Sequence, residues 1–394
     1  MAVAKRIKES MVRSSWIRKM FETGNELKAK YGRDMVFDFS LGNPNLEPPE
    51  ELNKALKGLL EKNPPHLHGY MPNAGYPEVR DRIAEYITEE QGVVLTGEQI
   101  IMTCGAGGAL NVAFKSILNP GDVVLASTPC FMEYAFYVDN QGGALKLVKG
   151  KEDFDLDVDS FESSITGNTT AIIINSPNNP SGRVYPKSTI EALGEMLRRK
   201  SSETGRTIYL VSDEPYRKIV YDGMVVPSVL ASYENTIVAT SYSKDLSIPG
   251  ERIGFLAVHP KAEDGPNLIG GMILCNRILG FVNAPALWQR VVAQTQGLSV
   301  DVSTYKKKRD MLCDGLSQIG YSFRKPEGTF YLFPQSPTED EMQIVEALQS
   351  ELVLTVPGKG FDYPGHFRIA FCVEDAVIER SLPGFRRAFE RLKA

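Results

Sequence analysis

Histidine is scarce in this chain of 394 residues: there are four, His66, His68, His259 and His366. They form no HExxH and no Cys/His cluster, so metal-assisted hydrolysis finds no ligand set. Cysteine is sparse too. The five cysteines, Cys104, Cys130, Cys275, Cys313 and Cys372, are scattered and odd in number. That pattern fits reduced thiols in a cytoplasmic protein better than a disulfide framework. No apolar run approaches the roughly 20 residues that span a bilayer, so no membrane partner is expected. Long basic blocks are missing and the net charge is −5, which leaves nothing to favour nucleic acid. A GxxxxGK[ST] segment is also missing. This removes the P-loop ATPase that Ile208 to Glu214, an apolar strand ending in Asp-Glu, would otherwise suggest. An apolar signal core near the start is lacking, which argues against secretion.

What is present is ordinary for a globular protein: 42% hydrophobic and 24% charged residues. The N-terminus is basic (Lys5, Arg6, Lys8, Arg13, Arg18, Lys19). Val12, Trp16, Met20 and Leu27 recur at near-helical spacing, which predicts an amphipathic helix over 10–31 stopped by Gly32. An organelle transit segment is the rival reading of this stretch. A short strand over 36–40, a turn-rich segment and a helix over 50–62 follow. From there to about residue 260, apolar strands at 100–102, 123–125, 171–174, 208–211, 237–239 and 255–258 alternate with helical stretches. Such alternation predicts an α/β fold with a mostly parallel sheet, and continuous apolar runs predict strands covered on both faces. After about 285 the texture changes to a long charged helix over 286–318. Short strands follow near 322–323, 330–332, 353–354 and 367–371, with helices over 338–350 and 374–393. We read this as a smaller α+β domain, 286–394, completed by residues 1–48, beside a large domain, 49–285.

Ligands of open parallel sheets sit beyond the carboxyl ends of the strands, so the residues that follow each strand carry the function. Thr236–Thr240 leads into Ser241-Tyr242-Ser243-Lys244, with Arg252 and Gly254 close behind. A lysine among hydroxyls, its pKa lowered by burial or a cationic neighbour, is suited to bond covalently to a carbonyl carbon. Ser241, Ser243 and Arg252 are suited to a phosphate dianion. The same segment also reads as a strand and a solvated polar turn. Cys104-Gly105-Ala106-Gly107-Gly108 after the 100–102 strand offers backbone N–H groups to a phosphate at a helix start. It lacks the last small residue of a dinucleotide-binding GxGxxG turn. Phe131 could stack on a planar ring or belong to the core. In Asn175–Gly182 two prolines frame Asn179, although Asn, Pro and Gly also make plain turns. Asp213-Glu214-Pro215-Tyr216 offers a carboxylate for a pyridine nitrogen. Arg368, within an apolar strand, suits a carboxylate held in two-pronged fashion or a structural ion pair.

Taken in order, Gly-Ala-Gly, Pro-x-Phe, Asn-Asn-Pro-Ser-Gly, Asp-Glu-Pro-Tyr, Ser-x-Ser-Lys and Arg resemble the class I/II aminotransferases of the aspartate aminotransferase type, from about Asp38 to Phe371. The resemblance implies pyridoxal phosphate (PLP) fold type I, with a seven-stranded-type sheet, and PLP as cofactor. It implies that Lys244 bonds to the cofactor, Asp213 faces the ring nitrogen, and Tyr216 and Asn179 face the ring's phenolic oxygen. Phe131 would stack on the ring. Ala106, Gly107, Ser241, Ser243 and Arg252 would hold the phosphate. Arg368, with Gly42 and Asn179 near it, would take the substrate α-carboxylate. Tyr70 matches a tyrosine that reaches the phosphate of a partner subunit, which implies a homodimer with shared sites. The implied activity moves an amino group from an L-amino acid to a 2-oxo acid, with 2-oxoglutarate as acceptor. Aspartate or glutamate is the donor expected from the family. Aromatic and alanine aminotransferases, or a PLP-dependent carbon–sulfur β-lyase, stay open, as does a non-catalytic regulator that keeps the fold. Some dicarboxylate-specific relatives carry a Lys directly after the small residues of the phosphate loop. Here Gly107 or Gly108 stands there, leaving Arg277 or the residues around His66 as candidates to read the substrate side chain.

Overall fold

The computed structural model describes residues 3–12 and 16–393. The helix expected over 10–31 is found as two helices, Lys5–Val12 and Trp16–Tyr31; its residues 13–15 lie outside the described residues. Strand β1 (Phe37–Asp38) follows. The large sheet then collects β2 (Ile100–Thr103), β3 (Val123–Thr128), β4 (Ala144–Lys149), β5 (Thr169–Asn175), β6 (Tyr209–Asp213), β7 (Thr236–Ser241) and β8 (Gly254–Val258). The remaining strands are β9 (Tyr331–Leu332), β10 (Val353–Leu354), β11 (Val356–Pro357) and β12 (Phe367–Ala370).

The seven large-sheet strands lie in the order β2-β8-β7-β6-β5-β3-β4. All neighbouring pairs are parallel except the two that involve β8. Helices cover both faces, which explains the unbroken apolar runs: all seven residues of β5 are buried. Six of these strands coincide with the expected apolar runs. The seventh, β4, was not among them because it is the sheet edge, where exposed Lys146 and Lys149 interrupt Leu145, Leu147 and Val148.

Pairing direction decides where the strand ends meet. β8 runs antiparallel to both β2 and β7, so β2 points the same way as β7. Thr103 and Ser241 both pair with Gly254. The carboxyl ends of β2, β3, β5, β6 and β7 therefore share one edge of the sheet, and β8 starts there. Chain progression reverses between β3 and β5, the place where open α/β sheets open a crevice.

The C-terminal strands form a three-stranded antiparallel sheet, β11-β12-β9. β1 pairs in parallel with β10, so the N-terminal strand is stitched to the C-terminal part of the chain. Two expectations need correction. The stretch 322–323 is no strand, although Gln335 N–H donates to the Ser322 carbonyl (2.9 Å). The long helix over 286–318 is two helices, Ala286–Gln294 and Val302–Ile319. Gly297 at φ +83° breaks it, and Asp301 caps the second part by accepting from the Ser303 N–H (2.9 Å). The break brings Val300 N–H onto the Asp245 carbonyl (2.7 Å), next to Lys244.

Candidate active site

A cavity of about 770 Å³ lies at the shared strand edge. Among the residues that line it are Gly42, Ala106, Gly107, Phe131, Asn179, Asp213, Tyr216, Ser241, Ser243, Lys244, Arg252 and Arg368. These are all the site residues named from the sequence but Tyr70, which is 92% exposed and lies elsewhere. Arg277 is exposed on its helix, His66 is exposed in its loop, and neither lines the cavity.

Lys244 follows β7 and points inward. Its Nζ donates to the Gly42 carbonyl (2.7 Å) and lies 5.5 Å from the centroid of the Phe330 ring. Burial lowers its pKa to about 8, and the cations Arg368 and Arg252 act in the same direction against an opposing contribution from Cys372. A substantial neutral fraction near pH 8 makes this amine a competent nucleophile and base.

Asp213, the last residue of β6, is buried. The Tyr134 hydroxyl donates to Oδ2 (2.6 Å), while Oδ1 is buried with no hydrogen-bond partner. Burial raises its pKa to about 7, opposed by the Tyr134 hydrogen bond and reinforced by Glu214. A carboxylate with one oxygen tied and one aimed into a cavity suits an N–H donor, since leaving such an oxygen unmet costs about 1–3 kcal/mol. Asn175, at the end of β5, fixes this corner. It donates to the Asp213 carbonyl (2.8 Å) and accepts from the Asn179 N–H (2.7 Å).

Arg368 on β12 is 1% exposed. Its Nη1 donates to Asn179 Oδ1 (3.0 Å) and its Nη2 to the Ser40 carbonyl (2.7 Å); Nε–H has no partner. No carboxylate pairs with it among the described residues, so the structural ion pair considered from the sequence is absent. The anion-holding corner is built on the helix Gly105–Ile117, whose N-terminus enters the cavity at Ala106 and Gly107. Gly105 has φ +72°, and a Cβ there would meet Arg252 Nη2 at 2.9 Å. Glycine thus lets the guanidinium close onto the helix start.

The sequence reading missed several lining residues. Asn175 opens the Asn175–Gly182 segment that carries Asn179, a signal that it shared the site. Tyr137, whose hydroxyl would lie 3.2 Å from a Cβ on Gly107, carries no motif. Ile7, Ser10 and Met11 of the first helix also line the cavity. Tyr331 is missed for the same reason as many aromatics: Phe330-Tyr331-Leu332 reads as core.

The residue set fits PLP. An unpartnered buried oxygen on Asp213 suits a ring N–H, Ala106, Gly107, Ser241, Ser243 and Arg252 form an anion cradle, and a lysine of lowered pKa lines the same cavity. Comparison with known proteins agrees. The family described as "Aminotransferase class I and II" matches residues 34–383. A probable aspartate/prephenate aminotransferase of Thermus aquaticus is 33% identical, covering 93% of this chain and 94% of that one. A probable aspartate aminotransferase of Methanocaldococcus jannaschii is 31% identical, covering 90% of this chain and 93% of that one. An aminotransferase crystal structure from Eubacterium rectale superposes with a TM-score of 0.96 at 38% identity over the full length of both chains. Thermus thermophilus aspartate aminotransferase with maleate superposes with a TM-score of 0.86 at 27% identity, covering 98% of this chain and 100% of that one. The fold is that of PLP fold type I, and the chain belongs to the class I and II aminotransferase family as a PLP-dependent transaminase.

Proposed function

We propose that the protein transfers the amino group of aspartate or glutamate to a 2-oxo acid, 2-oxoglutarate being the natural acceptor, and that it works as a cytoplasmic homodimer. The observation that carries the reading is that Lys244, Asp213 and Arg368 line one cavity. The names of the relatives support the dicarboxylic donor. Tyr70, the most exposed of the large hydrophobic side chains among the described residues, supports an outward role toward a second copy.

When bound, PLP supplies an electron-withdrawing ring conjugated to the substrate nitrogen. In this assignment Lys244 holds it covalently, Asp213 Oδ1 accepts from the ring nitrogen, and Tyr216 and Asn179 face the phenolic oxygen. Phe131 covers the ring. The Gly105–Ile117 helix start, Ser241, Ser243 and Arg252 hold the phosphate. An N–H donor at Oδ1 keeps Asp213 ionised, which offsets the effect of its burial. Arg368 orients the substrate carboxylate through Nε–H and the nearby Nη2, and so presents Cα–H to Lys244. Once the substrate amine has displaced Lys244 from the cofactor, the freed Nζ would take the Cα proton and return it to the cofactor carbon on the far side of the substrate nitrogen, as base and then acid. We also place the division between large and small domains near residues 48 and 285.

The test is turnover of aspartate with 2-oxoglutarate in Lys244→Ala. We expect no measurable turnover with unchanged circular dichroism. Retained turnover overturns the assignment.

A further inference from the structure

Tyr331 belongs to none of the roles above, yet it touches three of the residues that carry them. It is 3% exposed and lines the cavity from β9. β9 pairs antiparallel with β12 so that Tyr331 stands opposite Ala370. Arg368 lies two residues along the same strand, hence on the same face and within diagonal reach. The Arg368 guanidinium sits 4.4 Å from the Tyr331 ring centroid and 4.8 Å from that of Phe361. At its other end, the Tyr331 hydroxyl lies 3.0 Å from the Tyr216 hydroxyl. A Cβ on residue 42 would overlap it, so Gly42 is what admits the phenol. The backbone is fixed as well: Tyr331 N–H donates to Thr329 Oγ1 (3.1 Å).

We propose that Tyr331 is a positioning residue with two separable parts: its ring holds the Arg368 guanidinium for the substrate carboxylate, and its hydroxyl donates to Tyr216 Oη so that the Tyr216 proton is free for the cofactor's phenolic oxygen.

The ring part follows from the hydrogen bonds of Arg368. Two donors are committed to Asn179 and Ser40, which pin one edge of the guanidinium. Aromatic rings contacting it restrict tilting, and the unpartnered Nε–H keeps its direction. The hydroxyl part follows from counting protons. Two phenols 3.0 Å apart share one hydrogen bond, so only one keeps its proton for another acceptor. A donor behind Tyr216 also strengthens Tyr216 as a donor. The charged and titratable groups facing the two hydroxyls are Arg368, Asp213 and Cys372, with Tyr305 beside Tyr331 and Lys244 6.0 Å from the Tyr216 ring centroid. All of them remain in Tyr331→Phe.

This inference rests on the proposed role of Arg368, and the experiment separates the two. Succinate is titrated by absorbance into PLP-loaded wild type, Tyr331→Phe, Tyr331→Leu and Arg368→Lys, and the pH midpoint of the loaded protein's absorbance is measured for each. Arg368→Lys should weaken succinate binding; if it does not, the Arg368 assignment falls, and the ring part with it. Tyr331→Leu should weaken succinate roughly 3–30-fold, the range of a lost cation–π contact. Wild-type affinity in that variant, with Arg368→Lys impaired, overturns the ring part alone. Tyr331→Phe should bind succinate within about twofold of wild type, since the ring remains, and should raise the pH midpoint by ~0.2–0.6 unit through the weaker Tyr216 donor. An unmoved midpoint overturns the hydroxyl part. Should Tyr331→Leu not fold, Tyr331→Phe still tests the ring part, because a tenfold loss of succinate there would show that the hydroxyl holds the ligand.

Discussion

Asp213 shows what a single residue contributes. Its carboxyl is raised to about 7 from the ordinary value of 3.8, mainly by burial. Below the ordinary value both folded and unfolded chains hold the proton, and there is no effect. Between the two values the folded chain holds a proton that the unfolded chain has lost, so stability falls as pH rises. Above about 7 the loss is complete, at roughly 4 kcal/mol for a shift of this size. Cofactor-free Asp213→Asn should therefore be more stable than wild type at pH 8 in urea unfolding and equal to it near pH 4. The same substitution should lower turnover by about 10²-fold or more, because the loaded ring loses its anionic partner. Asp213, Lys244 and Arg368 were legible because each is a charged residue at or just beyond an apolar strand, or within one, where burial without purpose is costly. Tyr331 and Tyr137 were not, since an aromatic beside apolar neighbours reads as packing. Their role depends on β9–β12 register and on the approach of the Gly105–Ile117 helix, which no local pattern encodes.

At the scale of elements, the phosphate corner depends on a helix start placed by β2 and closed by β8. Gly105→Ala would put a side chain at φ +72° and against Arg252. We expect a cost of about 1–2 kcal/mol in stability and weaker PLP binding, read by fluorescence titration. Unaltered affinity would show that Arg252 does not need its present seat. The core strand β5 sets the position of Asn175 and is buried along its whole length. Ile173→Ala there should cost about 2–5 kcal/mol in chemical denaturation. Six large-sheet strands could be read from the sequence because burial on both faces leaves a continuous apolar run. β4 could not, because an edge strand with exposed lysines has neither that run nor a clean alternation. The break at Gly297 was obscured by helical periodicity on both sides, though Gly297 and the Asp301-x-Ser303 cap marked it.

For the whole molecule, the β1–β10 pair ties the N-terminal strand to the C-terminal part of the chain, and the Asn179–Arg368 hydrogen bond joins two cavity-lining residues far apart in sequence. Tyr70, exposed and apart from that cavity, was singled out by resemblance alone, since no feature of its own loop announces a role. A shared site predicts complementation. Lys244→Ala and Tyr70→Ala proteins, each impaired, should regain activity when unfolded together and refolded, because one of the two sites in a mixed dimer then has both residues. No recovery, with mixed dimers present by mass spectrometry, would place Tyr70 outside the site.

The central claim is that Lys244, Asp213 and Arg368 work on one bound PLP. The most direct measurement is the absorbance spectrum of the PLP-loaded protein before and after single L-amino acids are added without any acceptor. We predict a visible cofactor band that is lost on adding aspartate or glutamate, returns with 2-oxoglutarate, and is not lost in Lys244→Ala. A protein that takes up no PLP, or whose band is lost equally with and without Lys244, would contradict the account.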